Sequence, residues 1–522
     1  NEGAKSQYYS VEFDDTGRNN ARGAKMEVNS TDHCGVVKAT FAEGTQNKNF
    51  LFDCVRAGGG FTFEEGNRSF TAYSDHTGNG SKRMYVYGQF SEAPTKAKAS
   101  GKQAVAQFGS NSVELKVATS YISYDQAKKN LELEVGTKSF DDVMEESQAT
   151  WDKTLGVISD VKGATEEELI SLYSNLYRLF MYPNNMSENV GTNESPEWKY
   201  KSPYKAANAE PVSGHKLYIN NGFWDTYRTA WSAYALLTPN KAPELLNGLV
   251  QHYNDQTWVP RWIAPGGTNS MVGTSSDVIF ADAMMRGIEF DDKNAYASAL
   301  RNAATVSSNL TGGGRKNLNT SIFAGYTAGT DENFSWTIEG YINDFGIAQM
   351  AKALAEKETD PAKKADYLSE YQYYRNRAQN YALLFDNAGD DISQKWLRGK
   401  ESNGNWTTEN TTGGVYDPVR WRGDYTETNG YNMSVSVPQD GQGIANLYGG
   451  RDQLAAKIDS ILEDESPYSG YGAENGQGGI HEQKEAREVK MGQYGHNNQP
   501  AHHILYMYNY AGQPWKTQKN VR

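Results

Sequence analysis

Residues 165–180, Thr-Glu-Glu-Glu-Leu-Ile-Ser-Leu-Tyr-Ser-Asn-Leu-Tyr-Arg-Leu-Phe, mark the point where the chain changes its period. Thr165 followed three residues later by Glu168 is a capping box, in which hydroxyl and carboxylate satisfy end amides reciprocally. Leu169, Leu172, Tyr173, Leu176, Leu179 and Phe180 then recur on one helical face until Pro183 ends the helix. Upstream the period is two. Tyr8–Phe13, Ala24–Thr31, Gly35–Phe41, Asn49–Val55, Ser69–Ser74, Arg83–Phe90 and Ser112–Ser120 alternate apolar and polar side chains between Gly, Asn and Asp clusters such as Asp75–Gly80. Short strands so spaced predict a β-sandwich over residues 1–123. Residues 124–163 read as a connector, with a possible strand at Leu131–Val135.

Downstream, helical patterns repeat at Trp224–Leu237, Ala242–Tyr253, Asp277–Gly287, Ala295–Ser308, Thr337–Glu356, Pro361–Leu384, Gly441–Leu447, Gln453–Leu462 and Pro500–Ala511. Many helices of similar length predict an α-helical toroid over residues 164–522. Between them run the polar loops Asn184–Gly214, Trp262–Ser276, Gly312–Ser335, Gly399–Tyr425 and Glu465–Asn497, rich in Gly with Tyr or Trp. Loops of this length are where function concentrates.

Composition narrows the function. The 522 residues suffice for two or three domains, and the net charge of -13, with no Lys/Arg run interleaved with aromatics, argues against nucleic acid. Mean hydropathy is -0.74, and no membrane span is visible. Thirty-four Tyr and 11 Trp bring aromatics to 12%, a load that suits carbohydrate clefts as well as interfaces. Cys34 and Cys54 read equally as one disulfide or as two buried thiols. The chain opens at Asn1 with no charged n-region and apolar h-region, so a signal peptide is absent or was removed, and export is inferred from other features.

The chemistry is concentrated at residues 425–440, Tyr-Thr-Glu-Thr-Asn-Gly-Tyr-Asn-Met-Ser-Val-Ser-Val-Pro-Gln-Asp. One carboxylate, Glu427, stands among Tyr425, Tyr431, Asn429 and Asn432. Aromatic faces hold a pyranose, amides read its hydroxyls, and a partly dry carboxyl keeps a proton to give away. The bland alternative is a tyrosine-rich turn with a solvated Glu. Asn432 also opens an Asn-Met-Ser glycosylation triplet, and a glycan there would block the site, which favours a bacterial exporter.

A second constellation is Gly222–Trp231, where Asn221 caps a helix that carries Trp224, Asp225 and Arg228. Asp225 and Arg228 are either an intrahelical ion pair or a sugar-hydroxyl acceptor beside a Trp platform. Trp262, in Val259-Pro-Arg-Trp, is a ring contact, and Asp277 an N-cap acid. Glu339 and Asp344 lie too far around a helix to pair. At His496–His503 the adjacent histidines point to different faces, which disfavours zinc. Amide and carbonyl oxygens at that helix start suit a hard cation such as Ca²⁺.

Six short segments together, Phe223–Thr229, Pro260–Trp262, Asp277–Ala283, Tyr425–Asn429, Pro438–Asp440 and Gln499–His503, resemble the Ca²⁺-dependent exo-α-mannosidases of glycoside hydrolase family 92. Gln7–Glu12 and the strands after it resemble the later part of that family's β-sandwich. The resemblance implies a β-sandwich followed by an (α/α)6 barrel, a secreted, periplasmic or cell-surface bacterial enzyme, and inverting hydrolysis of terminal α-mannose on glycans. It assigns Glu427 as general acid. It matches Trp224 and Asp225 to residues lining the mannose site, where Arg228, Trp262, Tyr425 and Asn429 are further expected contacts, and Asn497, Asn498 and Gln499 to a region near Ca²⁺ and the leaving group. Gln499 stands where many members have Glu, and Ser275 where many have His. The family's opening strands have no counterpart before Asn1, and its catalytic base none before Arg522, so the chain alone is expected not to turn over substrate. A glycoside phosphorylase would need a basic anion pocket that the loops lack. A glycan-binding surface protein would not need Glu427.

Overall fold

The structure, a computed structural model, describes residues 1–13, 23–54, 58–75, 83–206, 208–473 and 479–522. The expected turn after Asp75 and the end of the expected strand at Val55 lie outside the described residues, as do residue 207 and residues 474–478 of two long loops. Chain packing separates two units, Asn1–Asn221 with Asn247–Gln251 and Ile263–Gly266, and Gly222–Leu246 with His252–Trp262 and Gly267–Arg522.

The first unit is built on eleven strands: β1 Glu2–Lys5, β2 Tyr8–Glu12, β3 Lys25–Ser30, β4 Cys34–Thr40, β5 Lys48–Asp53, β6 Gly59–Phe63, β7 Ser69–Ser74, β8 Met84–Phe90, β9 Lys96–Ser100, β10 Gln103–Phe108 and β11 Ser112–Ser120. They form an antiparallel eight-stranded sheet, β1-β2-β3-β4-β11-β8-β7-β6, and a three-stranded sheet, β5-β10-β9. The period of two sorts side chains to opposite faces. Val113 and Leu115 meet Phe50, Phe52, Phe61, Phe63, Phe70, Phe90 and Phe108 between the sheets. Cys34, Val36 and Ala118 point the other way.

That second face is covered by α1 Tyr124–Glu134 and α2 Phe140–Leu155, through Ala127, Leu131, Val135, Phe140 and Val143. The strand expected at Leu131–Val135 is therefore helix: the Ser123 hydroxyl caps α1 on Gln126 N–H, and Leu and Glu favour the helix over their accidental alternation. The capping box forms as expected on α3, Glu166–Leu179. Cys34 is buried, Cys54 half-buried, and both are free thiols.

In the remainder of the chain helices dominate: α4 Phe223–Thr226, α5 Ala230–Leu237, α6 Ala242–Gln256, α7 Ser276–Met285, α8 Asp292–Ala304, α9 Leu318–Ala324, α10 Asn333–Lys357, α11 Pro361–Arg377, α12 Gly430–Met433, α13 Gly441–Tyr448, α14 Arg451–Glu463, α15 His481–Glu488 and α16 Pro514–Val521. The helix expected over Pro500–Ala511 is two 3-10 turns, Gln499–Ala501 and Ile504–Asn509. The chain is thus a β-rich domain followed by a helical one.

The centre of the second unit is α10, packed along α7 and α11. Nineteen of its 25 residues are buried, so its first five turns are enclosed and Glu339 and Asp344 are indoors, while Lys352, Glu356 and Lys357 of its last turns are exposed. Phe334, Ile338 and Tyr341 join Val435, Val437, Ile444, Tyr448, Ile458 and Ile504 in one core, which explains the apolar run before Pro438. Asp344 is held by Arg315 at 2.7 Å and by Arg377 at 2.6 Å. Asp277, at the start of α7, takes Thr274 Oγ1 at 2.7 Å and Asn302 Nδ2 at 2.9 Å. Burial lifts its carboxyl from 3.8 to about 7, against the pull of Arg315.

Candidate active site

All the expected site residues fall in the second unit. Glu427 sits in a tight loop closed by Arg422 N–H on Thr428 O at 2.9 Å. The loop is strapped to the start of α10, where Thr426 N–H donates to Ser335 Oγ and Ser335 N–H to Asp424 O. Glu427 itself is in the left-handed region, φ 51°, a conformation that a long side chain adopts only when its surroundings enforce it. It is half-buried, and its Oε2 accepts Asn498 Nδ2–H at 2.9 Å. The Asn498 amide cannot flip, because its Oδ1 accepts Gln499 N–H at 2.9 Å.

Asp225 belongs to the same site. Its Oδ2 accepts the indole N–H of Trp262 at 3.1 Å. Burial raises its carboxyl, the Trp262 bond opposes that shift, and the charge of Glu427 adds to it. A Cβ at Gly222 would lie 2.0 Å from Asp225 Oδ2 and 2.4 Å from Trp262 Nε1, so this pair exists only beside a glycine. Trp224, 2% exposed, packs with Val272 and Trp336 and forms the wall behind Asp225.

Three expectations are corrected here. Gly222 takes the capping position instead of Asn221, and no side chain caps α4. Helix α4 stops at Thr226, so Arg228 is not an intrahelical partner of Asp225. It reaches across to Glu339 on α10, and Tyr227 Oη donates to the same carboxylate at 2.8 Å. Arg228 is thereby committed to a buried pair.

Tyr425 and Asn429, expected to meet sugar, are 0% exposed. Tyr425 donates to Leu397 O at 3.0 Å and stacks edge-on against Phe334. Asn429 caps α12 and donates to Gln493 Oε1 at 2.9 Å. Tyr431 and Asn432 are likewise occupied, on Asp464 and on Gln493 O. Of the sixteen residues that suggested a sugar site, Glu427 is half-buried, while the tyrosines and amides hold its loop.

Two further side chains with buried polar atoms, His503 and Gln439, lie in segments quoted from the sequence but were given no role there. His503 Nε2 lies 3.1 Å from Val435 O, and burial, with Arg228 adding, pushes its imidazole down to about 3. Its Nδ1 and both amide atoms of Gln439 are buried without a partner among the described residues. Gln439 stands beside Pro438 in a quoted motif, which was the only signal for it.

Calcium is poorly served by these side chains. Ca²⁺ takes about six to eight oxygens. Here Asn498 Oδ1 already accepts Gln499 N–H and Glu427 Oε2 already accepts Asn498. No group of three His, Cys, Asp or Glu capable of holding a metal occurs among the described residues. Asn498 and Gln499 do not fit a calcium shell by themselves.

Comparison with known proteins gives the family and the fold. The profile of the glycosyl hydrolase family 92 N-terminal domain matches residues 1–137, and that of the family's catalytic domain matches residues 126–522. The structure of an inverting mannosidase of family GH92 from Bacteroides thetaiotaomicron VPI-5482 is similar with a TM-score of 0.83 and 26% identity, over 99% of this chain and 68% of that one. A GH92 α-mannosidase from Bacteroides thetaiotaomicron, solved with mannoimidazole, shares the fold with a TM-score of 0.80 and 24% identity, over 99% of this chain and 66% of that one. Both agree with a β-sandwich followed by an (α/α)6 toroid. An uncharacterized secreted glycosidase of Arthroderma benhamiae is 23% identical over 454 residues, 79% of this chain and 46% of that protein. The chain thus spans about half the length of this curated relative. Among the described residues no helix is long and apolar enough to cross a membrane.

Proposed function

The chain belongs to glycoside hydrolase family 92, and from that premise we propose that the intact protein is an exo-acting α-mannosidase that removes terminal α-linked mannose from glycans with inversion. The observation that carries the reading is Glu427, forced into a left-handed turn and held through one oxygen by Asn498. An N–H donor on Oε2 leaves the proton of the acid form to Oε1. That oxygen protonates the departing glycosidic oxygen as the bond to the anomeric carbon breaks. Asp225, fixed by Trp262 through Oδ2, has no side-chain partner on Oδ1 among the described residues and accepts mannose hydroxyls there. Trp262 supplies the adjoining ring edge. Trp224 and the Arg228–Glu339 pair hold these groups without touching sugar.

The test is Glu427→Gln in the intact protein. Hydrolysis of mannosides with poor leaving groups should fall about 10²–10⁴-fold, while activated aryl mannosides are largely spared. Equal loss on both would remove Glu427 as the acid.

Calcium, carried by the resemblance alone, and the inactivity of this chain by itself are part of the proposal. One assay addresses both: the intact protein loses turnover with a chelator and regains it with Ca²⁺, and the 522-residue chain shows none. Chelator-resistant turnover removes the metal, and hydrolysis by the chain alone removes the need for a carboxylate elsewhere. We also propose that the intact protein is exported by a bacterium, to be checked by fractionating its source cells.

A further inference from the structure

Three residues before Glu427, the same loop buries a second carboxyl that the proposed chemistry does not use. Asp424 is 2% exposed. Its backbone is tied on both sides: the N–H donates to Asn410 Oδ1 at 2.8 Å, and the carbonyl accepts Ser335 N–H at 3.2 Å from the first turn of α10. Ser335 Oγ in turn accepts the N–H of Thr426, next to Glu427, at 2.9 Å. The side chain is less well provided for. Oδ2 accepts the hydroxyl of Thr407, and Oδ1 has no partner among the described residues.

An orphaned acceptor stands across from this carboxyl. Asn333, the first residue of α10, is buried, and its Nδ2 donates to Lys400 O at 3.3 Å. That bond fixes the amide so that Oδ1 is left buried without a donor among the described residues. The two groups converge on Gly399, where a Cβ would lie 2.3 Å from Asn333 Oδ1 and 2.8 Å from Asp424 Oδ2. A carboxylate has only acceptors to offer, whereas a carboxylic acid carries one O–H. Burial lifts the Asp424 carboxyl from 3.8 to about 6, with Thr407 opposing and the charge of Glu409 adding. The other charged or titratable groups around it are Arg398, already paired with Asp386 at 2.6 Å, Glu401, Tyr416 and Tyr425. Lys400 lies over Trp406, and Glu332, which caps α10, faces Arg422. None of them donates to Asn333 Oδ1.

We propose that Asp424 is a positioning residue for the acid: its protonated carboxyl donates to Asn333 Oδ1 and latches the Glu427 turn onto the start of α10. When the proton leaves, that bond is lost and an anion is set against the amide oxygen, so the turn loosens and Glu427 loses its aim. A carboxyl raised by folding holds its proton more tightly in the native state, so the latch is closed in mildly acidic surroundings and opens as pH rises through about 6. Its effect on hydrolysis rests on Glu427 acting as the acid, whereas the latch itself does not.

Hydrogen exchange over residues 422–430 of the intact protein, corrected for the intrinsic pH dependence of exchange, tests the latch. Wild-type protection should fall about fivefold or more between about pH 5 and about pH 7.5. In Asp424→Asn, whose amide N–H donates at every pH, it should stay within about twofold. Asn333→Ala, which removes the acceptor, should show at about pH 5 the lowered protection of the wild type at about pH 7.5. Wild-type protection that ignores pH, or an Asp424→Asn variant that follows the wild type, overturns the proposal. Hydrolysis adds a sign that a merely structural role would not give. At about pH 7.5, Asp424→Asn should cleave a mannoside with a poor leaving group about threefold or more faster than the wild type, with activated aryl mannosides altered by less than about twofold. Slower cleavage of the poor substrate overturns the role in positioning. Wild-type protein that cleaves neither mannoside refutes the mannosidase reading, and the exchange measurement still decides the latch.

Discussion

The two units solve the problem of a core in opposite ways. Between the sheets of the first, seven phenylalanines pack against one another with almost nothing polar among them. Gly88 on β8 is the price of that packing, since a Cβ there would lie 2.1 Å from the Phe70 ring. At the centre of the second unit, α10 brings Glu339 and Asp344 indoors and neutralises them with arginines from far along the chain. A buried ion pair contributes little net stability compared with apolar side chains, so its retention calls for another benefit. Here the benefit is geometric. Arg228 and Tyr227 are anchored on Glu339, and the helix that presents Asp225 directly precedes them. The first core supplies stability, and the second supplies position.

Substitutions should separate the two. Glu339→Ala strands the Arg228 guanidinium in the interior and should cost about 3–5 kcal/mol in denaturant unfolding. It should also weaken mannose binding measured by calorimetry at a temperature where the variant is folded. Gly88→Ala overpacks the phenylalanine core and should cost less, about 1–3 kcal/mol, with mannose affinity unchanged. If Gly88→Ala altered affinity as much as Glu339→Ala, the division of labour would be wrong.

The smallest effect concerns pH. Asp277 is buried with its carboxyl raised from 3.8 to about 7. A carboxyl whose pKa is higher when folded binds its proton more tightly in the native state. Its contribution to stability is therefore present below about 4, declines as pH rises to about 7, and then levels off. Asp277→Asn should flatten unfolding free energy against pH across that window. A slope identical to the wild type would place the titration on other groups.

Local signals were legible in the sequence and distant partners were not. The Thr165–Glu168 box depends on neighbours within a few residues and forms where expected. Tyr425 and Asn429 looked like sugar contacts because tyrosine and asparagine serve equally well in a core once a partner is found. Their partners, Leu397, Phe334 and Gln493, lie well away in sequence. Arg228 had an acid three residues away and chose one on α10 instead. Strands β9 and β10, Lys-Ala-Lys-Ala-Ser and Gln-Ala-Val-Ala-Gln-Phe, escaped notice because alanine alternation carries little hydrophobic signal, although Ala104 and Ala106 are buried.

The enclosure of α10 also has a consequence for how the protein is made. Its acids are matched by Arg228 and Arg315, synthesised before it, and by Arg377, which closes α11 after it. A ribosome adding roughly 5–20 residues per second needs on the order of ten to thirty seconds to pass from the first of these arginines to the last. Until then the helix cannot be enclosed with Asp344 fully compensated, whereas the strands of the first unit have long since emerged. Pausing or truncation inside this interval should leave a folded β unit tethered to an open helical segment, vulnerable to proteases.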